Sequence, residues 1–402
     1  MTSSTRRDVH LVLASQAVRA FGYGFSSVLL ASTLADRGLA GVEVGVVLAA
    51  LVAGTVIAQL AIGRWADGWG RRRSYTVLYA ALATCGLVFA TAAPVWVLVA
   101  VALTGALSAE VIESGPFTSI ELSMLSGRLA PDALATGFGW YNAIAAAAGS
   151  LGALTAALPR AARTAWSAAP SDRWWLGLLV VVGGFGIASA RRLSPDVEAQ
   201  QRHRGEPLGP SRRAVTRLAG LFAFDALAGG FVVQTFVAFW LIDRFGATTA
   251  QLGVLFAAIG VTQTLSFLAA PVLARRWGLL NTMVFSHLPS NVLLAGVALA
   301  PNLAVSAMLL VARAALSQMD VPTRQAYVMT LVTEDERTAA IAYTNTARYV
   351  ARPIGPLVAG ATLGLAAGAP FLIAGALKCA YDVTLWRWFR RIPLPTQQEA
   401  DS

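Results

Sequence analysis

The stretch GRWADGWGRRR, Gly63 to Arg73, packs three glycines, one carboxylate and four arginines into eleven residues. Glycine and arginine at this density can grip a phosphate, so the flanks decide the reading. Both flanks are long apolar runs, 43–63 and 74–93. About twenty apolar residues make a helix that crosses a hydrocarbon layer of about 30 Å. The stretch is therefore read as a turn at the membrane rim, joining two spanning helices.

Composition carries that reading to the whole chain. Of 402 residues, 56% are hydrophobic and 13% are charged, about half the charge of a typical soluble domain. The net charge of +10 would raise nucleic acid as a partner of a soluble protein. Here lipid headgroups and membrane topology account for it, so no nucleic-acid partner is expected. Cys85 and Cys379 lie inside apolar runs, and His10, His203 and His287 are scattered. No disulfide framework, metal site or cofactor is expected. The phosphate-loop pattern G-x-x-x-x-G-K-[ST] is absent from the sequence, which argues against an ATP-driven pump, and an enzyme is not expected.

Twelve spanning helices are expected over 11–35, 43–63, 74–93, 95–125, 133–158, 174–190, 214–241, 250–272, 279–300, 303–331, 338–366 and 369–389. Arg6 and Arg7 precede the first, which is read as uncleaved because it is too long for a signal peptide. The polar segment 191–213 divides the spans six and six, giving bundles 1–190 and 214–402. With the N-terminus cytoplasmic, twenty arginines fall on the cytoplasmic side and five on the other. The positive-inside rule then places both termini and the linker in the cytoplasm, in an inner membrane.

The halves resemble each other. WADGWG (65–70) matches LARRWG (273–278), Gly-Phe at 24 and at 230 align helices 1 and 7, and Gly152 matches Gly355. A duplicated six-helix unit is a transporter signature. The duplication, the linker and the G-x-x-x-D-x-x-G-R-R pattern together resemble the major facilitator superfamily of secondary transporters. The resemblance implies an all-α membrane protein, with twelve transmembrane helices in two pseudo-twofold-related six-helix bundles. It implies a conformational latch in which Gly63 allows close helix approach, Asp67 faces helix 11, Gly70 and Arg71 shape the turn into helix 3, and Glu121 pairs with Arg71. It also implies that helices 1, 4, 7 and 10 line a central cavity. Gly68 stands where the family commonly has a basic residue, and helix 5 lacks the proline of many exporters.

Charges within spans are costly and normally mark function or pairing. In helix 10, Arg313, Asp320 and Arg324 fall within about 40° of one another at about 100° per residue. Pro322 is expected to leave a carbonyl near 318 free. Helix 4 carries Glu110 and Glu113 within one turn, an arrangement that keeps one carboxyl protonated. Arg19 and Asp225 occupy equivalent places in helices 1 and 7 and could form a gate or a brace. Arg348 and Arg352, one turn apart in helix 11, could attract an anion or pair with acids of helix 10 or helix 7, while Lys378 and Asp382 in helix 12 read as a structural pair. Phe21, Tyr23, Phe25, Phe224 and Phe231 are candidates for an apolar wall. Proton-coupling or cavity roles thus fall to Arg19, Glu110, Glu113, Asp225, Arg313, Asp320, Arg348 and Arg352.

The expected function is alternating-access transport by a monomer, with protons coupled to efflux of a small amphipathic compound. Uptake or exchange of a small organic anion is the alternative. A non-transporting receptor or scaffold is disfavoured by the number of buried charges.

Overall fold

The computed structural model describes residues 3–91, 93–108, 115–126, 128, 134–198, 209, 211–332 and 336–391, and these are almost wholly helical. In chain order the helices are α1 Ser3–Asp36, α2 Gly41–Trp69, α3 Arg71–Ala90, α4 Val95–Ala102, α5 Pro116–Ser126, α6 Leu134–Thr155, α7 Leu158–Ala165 and α8 Leu178–Arg192. They continue with α9 Arg212–Gly230, α10 Gln234–Phe245, α11 Thr249–Trp277, α12 Leu279–Val297, α13 Leu303–Ser317, α14 Asp320–Leu331, α15 Arg337–Ala351, α16 Ile354–Leu363 and α17 Ala369–Phe389. Short 3-10 turns at Asp172–Gly177 and Pro195–Val197 flank α8.

The helix count exceeds the number of spans because expected spans 4, 7, 10 and 11 are each built from two helices and the short α7 follows α6 at the end of span 5. Each interruption has a local cause. Span 4 stops at Gly105, whose φ of 71° few other residues adopt, and restarts at Pro116, which is suited to a first helical position. In span 10, Pro322 sits in the first turn of α14, where its missing N–H costs nothing. The carbonyl of Gln318, expected to stay free, instead accepts a weak bond from Val321 N at 3.4 Å. Pro353 separates α15 from α16, and Gly229-Gly230 ends α9.

Among the described residues, seven helical stretches are long and apolar enough to cross a membrane: Gly41–Ala66, Arg71–Ala90, Trp140–Ala165, Asp172–Arg192, Arg212–Phe245, Thr249–Trp277 and Leu303–Leu331. Several of the remaining spans carry the ionisable side chains described below. Along α11, Val254, Val261, Leu265 and Leu268 form one exposed apolar stripe, as expected of a surface solvated by lipid.

The chain packs as two units, Met1–Arg202 with Val233–Gly260, and His203–Val232 with Val261–Ser402. In the first, a Cβ added to Gly24 of α1 would fall 1.9 Å from the Gly149 carbonyl, and one on Gly152 of α6 would fall 2.0 Å from that of Phe21. The second unit repeats the contact. A Cβ on Gly230 would lie 2.3 Å from the Arg352 carbonyl, and one on Gly355 would lie 2.5 Å from Gly230 Cα. Membrane helices gain no hydrophobic drive from lipid, so backbone approach at small residues supplies their packing. The glycine pairs detected as a sequence repeat are thus the same helix contact made twice. Gly63 makes no such approach: it is exposed, with open space where a Cβ would stand.

Candidate functional site

Each unit buries its own ionic cluster. In the first, Arg19 of α1 and Glu121 of α5 form an ion pair with both side chains fully inaccessible. Glu121 also accepts hydrogen bonds from Tyr75 of α3 and Tyr141 of α6, each at 2.5 Å. Arg19 donates to the Gln16 side chain and lies 4.6 Å above the Phe117 ring. Tyr23 ties the same turn of α1 to the Ala106 carbonyl at the interruption of span 4. The carboxylate thus accepts bonds on both oxygens, from three helices. This is the satisfied state that a charge needs away from water.

The cluster in the second unit is larger and less closed. Lys378 Nζ of α17 donates to Asp225 of α9 at 2.6 Å. Arg324 donates to Asp320 on the same α14 at 2.6 Å and approaches Asp225 at 4.0 Å. One turn along α17 from Lys378, Asp382 meets His287 Nδ1 of α12 at 2.9 Å and accepts from Asn291 Nδ2 at 2.8 Å. All six ionisable side chains are at most 7% exposed. Three carboxylates face an ammonium, a guanidinium and one imidazole. With His287 protonated the cluster is neutral; with His287 neutral it carries one negative charge.

At the arginine-rich rim, Gly70 turns the chain from α2 into α3 with φ 104°. The Glu198 carboxylate accepts from Arg71 N at 2.6 Å and Arg72 N at 3.4 Å, capping the positive end of α3. The Arg71 guanidinium donates to the carbonyls of Val197 at 3.3 Å and Ser123 at 3.4 Å. Beside it Arg128 donates to Asp8 at 2.7 Å, and Asp8 accepts from Ser194 N at 3.0 Å. Burial pushes the Asp8 carboxyl up, but the bonds from Ser194 and Arg128 outweigh it and hold the carboxyl below its ordinary value.

The observation that decides the family is a match to the Major Facilitator Superfamily over residues 12–356. The chain belongs to the Major Facilitator Superfamily. It is a membrane transporter of that superfamily, with the all-α twelve-helix fold. An uncharacterised membrane protein of Saccharomyces cerevisiae, YJR124C, is 23% identical over 391 residues, covering 88% of this chain and 87% of its own. Among solved structures, the nucleoside transporter NupG matches with TM-score 0.74 at 14% identity, over 97% of this chain and 100% of its own. A D-xylose-proton symporter matches at 0.70 and 13%, over 96% and 98%. The human organic anion transporter MFSD10 matches at 0.62 and 18%, over 96% and 100%.

Within this superfamily frame several expected pairings are replaced. Glu121 binds Arg19, not Arg71, because it lies within the layer of α1, α3 and α6 while Arg71 reaches the end of α5 and the start of the linker. Arg19 pairs with Glu121 in the first unit, and Asp225 pairs with Lys378 in the second. Lys378 and Asp382 share a helix face, yet each turns to a different neighbouring helix. Asp320 and Arg324 do pair. Tyr23, Phe25 and Phe231 are core residues, while Phe224 is exposed. Glu110 and Glu113, and the Asp67 side chain, lie outside the described residues. The sequence reading passed over His287 and Asn291, although two polar residues one turn apart in an apolar span were a usable signal.

Proposed function

We propose that this superfamily member is a proton-coupled secondary transporter that exports small amphipathic compounds by alternating access. It works as a monomer of the inner membrane with both termini cytoplasmic, and bundles 1–190 and 214–402 are joined by the 191–213 linker. The observation that carries the reading is the buried six-residue cluster, whose net charge depends on one proton. An uncompensated charge at membrane depth is costly, so gain or loss of that proton shifts the balance between conformations with different burial. The exposed Phe224 on span 7 supports contact with an apolar solute. The rim turn of Asp67, Gly70 and Arg71 acts as a conformational latch. Flux of a cation, anion and neutral solute panel in proteoliposomes under an imposed pH gradient tests the proposal. Wild-type flux indifferent to the gradient removes proton coupling.

A second reading, exchange of an organic anion, is favoured by Arg348. It is half-buried, and its Nε has no hydrogen-bond partner among the described residues. Carboxylate flux lost in Arg348→Gln while cation flux persists would select it.

A further inference from the structure

The buried cluster divides into two ends joined by one helix face. At one end Asp225, Lys378, Arg324 and Asp320 link α9, α17 and α14; at the other, His287 and Asn291 of α12 hold Asp382. Lys378 and Asp382 are one turn apart on α17, so the ammonium lies within reach of two carboxylates and in this structure binds Asp225. That choice bears on α9. The Lys378 ammonium stands 3.7 Å from the position a Cβ on Gly229 would take, at the carbonyl end of α9, where a cation is favourable. Immediately beyond, span 7 is interrupted at 231–233 before α10 begins.

We propose that His287 and Asp382 form the proton-binding site of this cluster, and that its occupancy decides whether Lys378 holds the end of α9. The proposal deepens the proton-coupled reading and places the proton on spans 9 and 12, away from the acids of spans 4 and 10. With Nδ1–H donated to Asp382, a proton arriving from water adds to Nε2 and makes the ring a cation. The cation cancels the Asp382 charge, and Lys378 stays on Asp225. When the proton returns to water, Asp382 is an uncompensated carboxylate one turn from Lys378 and draws the ammonium from Asp225. The link between α17 and α9 then loosens beside the interruption. The charged and titratable groups facing His287 are Asp382, Lys378 and Tyr381 of α17, Asp225 of α9 and Asp320 of α14, the last bonded to Arg324. Lys378 and Arg324 are bonded to Asp225 and Asp320, which leaves Asp382 as the carboxylate whose balance His287 sets.

Hydrogen exchange of the full-length protein in lipid nanodiscs, without substrate, tests this. Protection factors for 227–233, corrected for intrinsic exchange, are compared at pH values below and above the ordinary histidine range, with α3 as the internal reference. In wild type, protection of 227–233 should fall about ten-fold on raising the pH, a population shift within the usual range of local opening equilibria. His287→Gln, permanently neutral, should show the lower protection at both pH values. Asp382→Asn, with no carboxylate to compete for Lys378, should show the higher protection at both. Wild-type protection that ignores pH overturns the proposal, as does an unaltered pH response in either variant. Because no solute is present, a pH response that follows this pattern stands even if flux proves uncoupled to protons. Conversely, proton-coupled flux with flat exchange at 227–233 leaves the transport reading and removes this site.

Discussion

Lys378 and Asp225, 153 residues apart, meet at 2.6 Å inside the second unit. The pair ties span 12 to span 7, which is expected to line the cavity. Removing one partner strands a buried charge, which typically costs about 3–5 kcal/mol. Asp225→Asn and Lys378→Met should each lower the thermal midpoint of the purified protein markedly. The double variant should recover much of the loss, because it strands neither charge. Additive losses in the double variant would show that the two residues do not act as a pair.

Glu121 is saturated by Arg19, Tyr75 and Tyr141, so it acts as a brace. Glu121→Gln should destabilise the protein by several kcal/mol, as expected for one broken buried pair, while leaving the pH response of residues 227–233 unchanged. Loss of that response would move the coupling role into the first unit.

The glycine contacts make a sharper steric test. Gly355→Ala puts a Cβ 2.5 Å from backbone and should cost about 1–3 kcal/mol by overpacking. Gly63→Ala enters open space and should stay within about 0.5 kcal/mol of wild type. Thermal unfolding of both variants in one detergent checks the contrast.

Asp8 gives a pH dependence with a definite sign. Its carboxyl is held below the ordinary value by Ser194 and Arg128. Its stabilising contribution is therefore complete above the ordinary aspartate pKa of about 3.9. It is lost as the pH falls through the lower value of the folded state. Asp8→Asn should remove this acid-side component from the melting-temperature profile and leave the neutral side flat. An unchanged profile would show that the clasp contributes nothing.

How much of this was legible follows from what a helix pattern encodes. Apolar run length gave the spans, and the Gly24, Gly230, Gly152 and Gly355 offsets gave a repeat that the structure resolves into one helix contact made twice. Periodicity also put Asp320 and Arg324 on one face, where they pair. It fixes neighbours along one helix but not which helices adjoin. Lys378 and Asp382 therefore looked like partners, although their partners lie on α9 and α12. The same limit sent Glu121 to Arg71 by analogy, when the side chain faces α1. His287 was dismissed as one of three scattered histidines because scatter in sequence says nothing about a carboxylate 95 residues away.

The most direct test of proton coupling through the buried cluster is proton counter-movement in sealed proteoliposomes. Internal pH is recorded while an amphipathic solute moves down its gradient. The account predicts that solute movement in one direction drives protons in the other for wild type, and that His287→Gln and Asp382→Asn lose this exchange. Solute movement by wild type with no accompanying change in internal pH would contradict it.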